Sequence, residues 1–249
     1  MKQLTLSLLL ILCHLIAFSQ TEISKRIDVK NGQEVSIECL DANLIKVTGW
    51  DENYISLLAK VRINNGQNDD SYLVNVTTEK GIIRITGSIL DKDQLPKMIQ
   101  IKKGDQIYTF NTDDNNSPEI QQFYIEQGKD GIHWFSHGVM WHIDYEIMIP
   151  QSVNLNITSN HGLIEIDNYR GPISANSKHG GVDMAISPNS KSEINLSTDW
   201  GEVFTDLNLK YNEIPSGNKT VVSCRMNGGG GPSVILESKH GNIYFREMK

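Results

Sequence analysis

Apolar and polar residues alternate in short runs through most of the chain after residue 20. Typical runs are EVSIECL, NLIKVTGW, YISLLAKVRI, YLVNVTTEKGIIRITGSIL and HIDYEIMIP. An alternation with a period of two places apolar side chains on one face of a β-strand, and the Gly, Asn and Asp residues between the runs favour turns. Because the i, i+3, i+4, i+7 stripe of an amphipathic helix is not sustained anywhere after residue 20, the pattern predicts an all-β domain.

A nine-residue phrase with a central Gly recurs four times, as TSNHGLIEI, NSKHGGVDM, STDWGEVFT and ESKHGNIYF. The central glycines are Gly162, Gly180, Gly201 and Gly241. The residues seven positions before them are all apolar: Leu155, Ile173, Ile194 and Val234. The residues two positions after them are also apolar: Ile164, Val182, Val203 and Ile243. An earlier segment around Gly81 follows the same spacing.

The intervals between the four glycines are 18, 21 and 40 residues, and the last interval fits two coils with a degraded middle copy. Repeats of this length predict a single-domain parallel β-solenoid with coils of ~18–21 residues, in which equivalent residues stack about 4.8 Å apart. One coil cannot bury its apolar face alone, whereas stacked coils share a continuous core.

The phrase itself predicts a corner between two strands of a coil. A Ser or Thr three residues before the Gly favours a type I β-turn, and its hydroxyl can bond the local backbone. The two residues in the middle of each turn are then expected to point to solvent. These pairs are Asn160–His161, Lys178–His179, Asp199–Trp200 and Lys239–His240.

Two segments interrupt the repeat. Residues 102–132 are polar and contain Asp-Asp-Asn-Asn, which predicts an insertion or a long loop. Residues 227–233, NGGGGPS, predict either a mobile loop or a place where the backbone packs closely.

The first 20 residues, MKQLTLSLLLILCHLIAFSQ, have the features of a secretory signal peptide. Lys2 precedes an apolar run, and Ala17 and Ser19 are the small residues that a signal peptidase requires. The run is shorter than the roughly 20 residues of a membrane-spanning helix and contains His14. We therefore predict cleavage after residue 19 or 20, one mature domain over residues 21–249, and no stable membrane insertion after cleavage.

Charge and cysteine content restrict the possible partners. The chain has 23 Lys and Arg residues against 30 Asp and Glu residues, a formal net charge of −7. An acidic surface repels phosphate backbones, so nucleic acid is not a predicted partner. Two cysteines remain after cleavage, Cys39 and Cys224, and an exported protein could hold them either as a disulfide or as two buried free thiols.

The run YEIMIPQSVNLNITSNHGLIEIDNYRGPISANSKHGGVDMAI resembles the bacterial adhesin-like domain of unknown function, a β-solenoid-like domain of exported Gram-negative proteins. KVTGWDENYISL resembles the N-terminal part of that family. The likeness covers most of the mature chain and rests on the repeat pattern, not on catalytic residues. The resemblance implies a β-rich fold and export to the cell envelope, and it implies no particular ligand.

The segment GIHWFSHGVMWH, residues 131–142, concentrates His and aromatic side chains. Its Gly residues weaken a helix and a strand pattern follows it, so we interpret the segment as an aromatic flap over an end or side of the solenoid. Exposed Trp and His stack on sugars and on protein partners. The predicted ligand-binding residues are His133, Trp134, His137, Trp141 and Trp200.

A transition-metal site is one alternative. His161 and His179 hold the same corner position in successive coils, so their imidazoles could share an ion. The next coil carries Trp200 there, which ends the predicted column at two ligands, and His240 is expected to be too distant. The simpler interpretation is a pair of solvated corner residues.

A polysaccharide-active enzyme is the other alternative. Glu165 and Asp183 stand three residues after their glycines, and stacking would place them about 5 Å apart, the carboxylate separation of retaining glycosidases. A solvated polar face explains the same pair without catalysis. Motifs of serine hydrolases, zinc proteases and P-loop proteins are absent, so no catalysis and no cofactor are predicted.

These observations together favour an exported, non-enzymatic protein of the Gram-negative cell envelope, periplasmic or extracellular. Its expected function is binding, adhesion-like contact or scaffolding, and its expected partner is an envelope glycan or protein.

Overall fold

The computed structural model describes residues 20–30, 32–210, 212–213 and 219–248. The predicted signal peptide, except for its last residue, lies outside these ranges. The described residues form twenty strands, one α-helix and three short 3-10 turns, which confirms the prediction of an all-β protein.

The strands alternate along the chain with short turns, apart from one helical segment. The first ten are β1 (Thr21–Asp28), β2 (Glu34–Cys39), β3 (Leu44–Trp50), β4 (Tyr54–Ile63), β5 (Tyr72–Glu79), β6 (Ile82–Ile89), β7 (Met98–Lys103), β8 (Gln106–Phe110), β9 (Ile132–Gly138) and β10 (Trp141–Pro150). The next ten are β11 (Asn154–Ser159), β12 (Leu163–Asp167), β13 (Ile173–Ser177), β14 (Val182–Ile186), β15 (Ser192–Thr198), β16 (Val203–Thr205), β17 (Asn212–Glu213), β18 (Thr220–Met226), β19 (Ser233–Ser238) and β20 (Ile243–Glu247). The helix α1 spans Pro118–Gln127, and the 3-10 turns span Asn64–Gly66, Asp69–Ser71 and Lys92–Gln94.

Two large sheets face each other across one apolar core. Sheet A has the strand order β1-β4-β10-β3-β12-β14-β20-β16, and sheet B has the order β17-β18-β15-β19-β13-β11-β2-β6-β5. A small sheet C has the order β8-β7-β9. In the middle of the molecule, five stacked units each contribute one strand to sheet A and one to sheet B. These units are β2–β3, β11–β12, β13–β14, β19–β20 and β15–β16.

The stacked units lie in register, as the recurring phrase predicts. In sheet B, Leu155 pairs with Ile173, Ile173 pairs with Val234, and Val234 pairs with Ile194. All four side chains are buried in the common core. In sheet A the residues two positions after each glycine pair in the same way, because Val182 lies between Ile164 and Ile243.

The spatial order of the units differs from their order in the chain. The last unit, β19–β20, lies between β13–β14 and β15–β16. After β16 the chain returns along the outer edge of sheet B, where β18 runs antiparallel to β15, and only then enters the stack as β19. The interval of 40 residues therefore contains this return and not the degraded coil that we predicted.

The prediction of a purely parallel solenoid is also wrong at both ends of the sheets. Antiparallel pairs join β1 to β4, β4 to β10, β5 to β6 and β15 to β18. The segment around Gly81 is the turn of the β5–β6 hairpin, where Gly81 has a φ of +83°, and is not an earlier coil. An antiparallel hairpin needs only a tight turn between its strands. The end strands of the sheets are therefore paired differently from the parallel strands in the middle.

The insertion predicted at residues 102–132 is a folded unit, not a loop. Sheet C and α1 enclose a small core of their own, formed by Ile99, Ile101, Ile120 and Phe123. The helix begins with Pro118 in its first turn and ends before Gly128, which has a φ of +72°. Because only two residues of α1 are buried, its apolar stripe is too short to be seen in the sequence.

The Gly-rich loop packs closely, in agreement with the second of the two predicted alternatives. A Cβ atom at Gly231 would overlap the carbonyl oxygen of Lys191, and one at Gly229 would overlap the carboxylate of Glu193. Gly228 to Gly230 all have φ values between +72° and +87°, a conformation that L side chains rarely adopt.

Cys39 and Cys224 do not form the disulfide that was one of the two possibilities. Both are free thiols, and four strands of sheet B separate β2 from β18, a distance of about 24 Å at the usual strand spacing. Burial raises the pKa of Cys39 to about 12, so this thiol stays protonated and forms part of the core.

Candidate functional site

The corners of neighbouring units are joined by buried hydroxyl groups. The Ser177 hydroxyl donates to the carbonyl oxygen of Gly162 at 2.9 Å, and the Ser238 hydroxyl donates to that of Gly180 at 2.8 Å. Ser238 also accepts a hydrogen bond from the backbone N–H of Gly241 within its own corner. The predicted hydroxyl–backbone bond is confirmed, and the same group additionally ties each corner to the next.

The glycine of each corner is required by the stacking itself. A Cβ atom at Gly180 would overlap the carbonyl oxygen of Gly162, one at Gly241 would overlap that of Gly180, and one at Gly201 would overlap that of Gly241. None of these four positions has a positive φ in the described structure. The close approach of successive backbones, and not turn conformation alone, accounts for the repeated Gly.

Three imidazole rings stack along the corners. The ring centroids of His161 and His179 are 5.0 Å apart at an interplanar angle of 11°, and those of His179 and His240 are 4.9 Å apart at 5°. We call these three rings the imidazole stack. The prediction that His240 is too distant to join is wrong, because β19–β20 lies directly beside β13–β14. Trp200 follows at the next corner, where its backbone N–H donates to Lys239.

The geometry of the imidazole stack does not suit the metal site that was one alternative to the predicted binding function. The lone pair of an imidazole nitrogen lies in the ring plane, so an ion between two parallel rings lies outside the direction of both lone pairs. Among the described residues, no group of three or more His, Cys, Asp or Glu side chains is arranged to hold a metal ion. Because the rings of His161 and His179 are stacked about 5 Å apart, their nitrogen lone pairs do not converge on one metal ion.

An open groove of about 500 Å³ lies beside the imidazole stack, on the outer face of sheet B; we call it the corner groove. Its floor consists of the last outward residues of four strands and the first residues of the corners that follow them. The lining residues are Thr158, Ser159, Asn160, Asn176, Lys178, Ser197, Asp199, Lys219, Glu237, Ser238 and Lys239. All are polar or charged, and they repeat from unit to unit because the strands pair in register.

The charges in the corner groove are only partly paired. Lys219 Nζ is 3.9 Å from the carboxylate of Asp199, and Asn176 donates to the carboxylate of Glu237 at 3.1 Å. Within the described part of the chain, neither Lys178 nor Lys239 has a carboxylate within 4.0 Å of its ammonium group. Three lysines against two carboxylates leave the groove with one excess positive charge, in a chain whose net charge is −7.

The imidazole stack is also an electrostatic unit. The pKa of His179 is lowered, first by partial loss of solvent between its neighbours and then by the charges of His240, His161, Lys178 and Lys239. The neutral form of the central ring is thus favoured as long as no anion is nearby.

The structure does not bring the five predicted ligand-binding residues together. His133 and His137 are exposed on β9, where four residue steps of extended strand separate them by about 13 Å. The Trp134 side chain lies outside the described parts. Trp141 is half-buried, with its indole N–H donating to Asp41 and the Lys92 ammonium 3.5 Å from its ring centroid.

Trp200 lies at the opposite end of the stack from this segment. Sheet A places five strand steps between β10 and β16, about 24 Å at the usual spacing. Its ring is 62 % exposed, and its corner neighbour Asp199 lines the groove. Of the four predicted residues whose side chains the structure describes, only Trp200 is therefore adjacent to the corner groove.

Glu165 and Asp183 are register partners in sheet A, as the spacing predicts. Arg246 holds Asp183 through two hydrogen bonds of 2.8 and 2.7 Å, an ion pair that the sequence pattern did not indicate. The next residues in the row are Tyr244 and Phe204, whose rings stack at 5.2 Å. Arg246 therefore occupies both oxygens of the Asp183 carboxylate, and the row continues with aromatic rings and not with further carboxylates.

Sequence reasoning identified the corner residues as exposed but missed the groove. The equivalence of Lys178 and Lys239 was visible in the repeated phrase SKHG, yet their adjacency depends on the spatial order of the units. Lys219 lies outside the recurring phrase, so the phrase gave no signal for it.

Comparisons with known proteins give two structural likenesses. No protein-family model matches the chain, and no curated protein matches it. A crystal structure of a candidate cell adhesion protein from Clostridium sporogenes aligns with a TM-score of 0.48 at 9% identity, over 92% of this chain and 100% of that one. A candidate adhesin from Bacteroides fragilis aligns with a TM-score of 0.25 at 10% identity, over 92% of this chain and 98% of that one. At these values neither likeness identifies a function for this protein.

A search of the described residues for a helix both long and apolar enough to cross a membrane finds none.

Proposed function

We propose that this protein is an exported, non-enzymatic binding protein of the Gram-negative cell envelope, and that the corner groove binds a glycan. The proposal rests on the polar side chains that line the groove at regular intervals. Each of four successive units contributes polar or charged side chains, drawn from amides, hydroxyls, carboxylates and ammonium groups, to an open groove of about 500 Å³.

The composition of the groove favours a glycan over a protein partner. Protein interfaces concentrate their binding energy in aromatic and aliphatic anchors that become fully desolvated. Side chains such as Asn160, Asn176 and Asp199 instead offer donors and acceptors to hydroxyl groups, and Trp200 adds one exposed ring at the margin.

The absence of catalysis is part of the proposal. The carboxylate pair most like that of a glycosidase includes Asp183, whose two carboxylate oxygens both accept hydrogen bonds from Arg246. The corner groove contains the carboxylates of Asp199 and Glu237, and both already have partners. An open, solvated groove also lacks the water exclusion that strengthens electrostatic catalysis.

A glycan panel tests the binding function. Residues 21–249 should be retained by a subset of immobilised envelope polysaccharides. The variant Asn160→Ala/Asp199→Ala should bind the same polysaccharide about 10-fold more weakly, because each lost hydrogen bond contributes about 0.5–1.5 kcal/mol. The matched control is Asn75→Ala/Thr77→Ala, which removes two exposed polar side chains from β5, outside the groove.

A second variant separates the corner groove from the aromatic segment predicted from sequence. His133→Ala/His137→Ala removes two exposed side chains from β9. Loss of binding in this variant, with normal binding by the groove variant, would assign the ligand to β9 and end the role proposed for the groove.

Export is tested independently of binding. Protein expressed in a Gram-negative host should be recovered from the periplasm or the medium with an N-terminus at residue 20 or 21. Recovery of the uncleaved chain from the cytoplasm would contradict this part of the proposal.

A further inference from the structure

We propose that the ligand of the corner groove is an acidic polysaccharide, whose carboxylates lie along Lys178 and Lys239 beside the imidazole stack. The inference rests on the proposed function and adds the chemical class of the glycan. It is carried by the arrangement of cations in the groove, which the spatial order of the units creates.

The two lysines form a short cationic row. The backbone N–H of His240 donates to the carbonyl oxygen of Lys178 at 3.1 Å, so the corners that hold the two lysines are in direct contact. Neither ammonium group is paired with a carboxylate of the described residues. A cation that the protein leaves unpaired can form a charge-assisted hydrogen bond with a ligand without first breaking an internal one.

The surrounding charge directs an anion to this row. The protein as a whole carries a net charge of −7, whereas the groove has one excess positive charge. A polyanion is therefore repelled by most of the surface and attracted to the groove, which favours one docking position.

The geometry fits a linear polymer better than a small anion. The imidazole rings are spaced at 5.0 and 4.9 Å along the direction in which the units stack. Lys178 and Lys239 immediately precede His179 and His240 in the chain and share this step. A polymer with a carboxylate on each repeat can contact the lysines of successive units, whereas a single small anion contacts the lysine of one unit.

The carboxylates of the groove favour a carboxylated polymer over a phosphorylated one. Asp199 and Glu237 accept hydrogen bonds from sugar hydroxyls. Inorganic polyphosphate has no hydroxyl groups along its chain to donate these bonds and carries a negative charge on every phosphate, which the two carboxylates repel. A uronic acid polymer carries one charge per sugar and several hydroxyl groups, which matches a mixed lining of cations, amides and carboxylates.

The imidazole stack makes the binding sensitive to pH. Its charged and titratable neighbours are His161, His179 and His240 themselves, Lys178 and Lys239 in the adjoining row, and Asp199, Lys219 and Glu237 in the groove. The preceding unit contributes Asp41, which is paired with Lys92 at 2.8 Å. A bound carboxylate offsets the repulsion among the cations, so binding should take up protons and become tighter as the pH falls below 7.

The test compares an acidic polysaccharide with its neutral form and with a polyanion that contains no sugar. Binding of residues 21–249 to polygalacturonate, to its carboxyl-reduced form and to inorganic polyphosphate is measured by calorimetry at pH 5.5 and 7.5. Polygalacturonate should bind about 10-fold more tightly than the reduced polymer, and more tightly at pH 5.5 than at pH 7.5. The triple variant His161→Gln/His179→Gln/His240→Gln should lose most of the pH dependence.

Charge-matched variants locate the contact. Lys178→Gln/Lys239→Gln should weaken binding of polygalacturonate about 5- to 10-fold. Lys25→Gln/Lys97→Gln, which changes the net charge equally at two exposed positions outside the groove, should change it less than about 2-fold.

Each remaining outcome is decisive. Equal binding of the neutral and the charged polymer, or equal effects of the two lysine variants, would overturn the acidic ligand and leave the glycan-binding function intact. Tighter binding of polyphosphate would overturn the carboxylate assignment. Failure to bind any glycan, in this comparison and in the wider panel, would overturn the proposed function as well.

Discussion

At the scale of single residues, the contact between units depends on positions where a side chain is absent or very short. Gly180 lies against the backbone of Gly162 on one side and of Gly241 on the other. The hydroxyl groups of Ser177 and Ser238 satisfy the carbonyl oxygens of the neighbouring corners. Turn preferences were sufficient to predict a corner here, but the close approach between corners could not be predicted, since it depends on atoms from two distant segments.

Gly180→Ala should destabilise the protein by about 1–3 kcal/mol, the usual cost of overpacking. The new Cβ atom would overlap backbone atoms of Gly162, which cannot move without disturbing two strands. Chemical denaturation of residues 21–249 measures the free energy of unfolding. Lys178→Ala, an exposed change in the same corner, is the control, and equal stability of Gly180→Ala and this control would contradict the packing argument.

His179 should titrate below its ordinary pKa of 6.5 in the free protein. Loss of solvent and the charges of His240 and His161 disfavour its protonated form, so His161→Gln/His240→Gln should raise its pKa. Because the folded state then binds fewer protons than the unfolded state below about pH 6.5, this group lowers the stability as the pH falls through that value. NMR titration of the imidazole resonances gives the pKa directly, and a value above 6.5 in the unliganded protein would refute the stacked arrangement.

At the scale of elements, rows of equivalent side chains run across the sheets. One such row in sheet A begins with Glu165 and Asp183 and continues with Tyr244 and Phe204. The alternation in each strand predicted which residues face outward, and the phrase predicted their register. Neither could predict Arg246, because it contacts Asp183 from β20, a strand 63 residues further along the chain.

The carboxylate row should have no hydrolytic activity. Wild-type protein and Asp183→Asn should both release no reducing ends from envelope or plant polysaccharides over a day of incubation, because Arg246 occupies both oxygens of the Asp183 carboxylate. Release by the wild type that disappears in Asp183→Asn and in Glu165→Gln would restore the glycosidase alternative.

The insertion shows where sequence patterns fail at this scale. α1 has only two buried residues, and sheet C relies on a core of four buried side chains. Short elements of this kind are specified by packing against one another, not by a long periodic stripe, so their polar composition indicated only a break in the repeat.

At the scale of the whole molecule, the position of β19–β20 determines the surface. This unit lies between β13–β14 and β15–β16 and contributes the third ring of the imidazole stack. It also places Lys239 beside Lys178 and supplies part of the lining of the corner groove. The residues that occupy the same position in different units could be identified from the sequence, because each lies at a fixed number of residues from its glycine. The order of units in space could not, because the chain leaves the stack after β16 and enters it again between two earlier units.

Disulfide cross-linking in a Cys224→Ser background measures this order most directly. Asn176 pairs with Glu237, and Glu237 pairs with Ser197, so Asn176 and Ser197 are two strand steps apart. At about 4.8 Å per step, Asn176→Cys/Glu237→Cys falls within the Cα separation that a disulfide allows, and Asn176→Cys/Ser197→Cys falls beyond it. The fold described above predicts rapid cross-linking of the first pair and none of the second. Cross-linking of the second pair without the first would place the units in chain order and remove the corner groove with them.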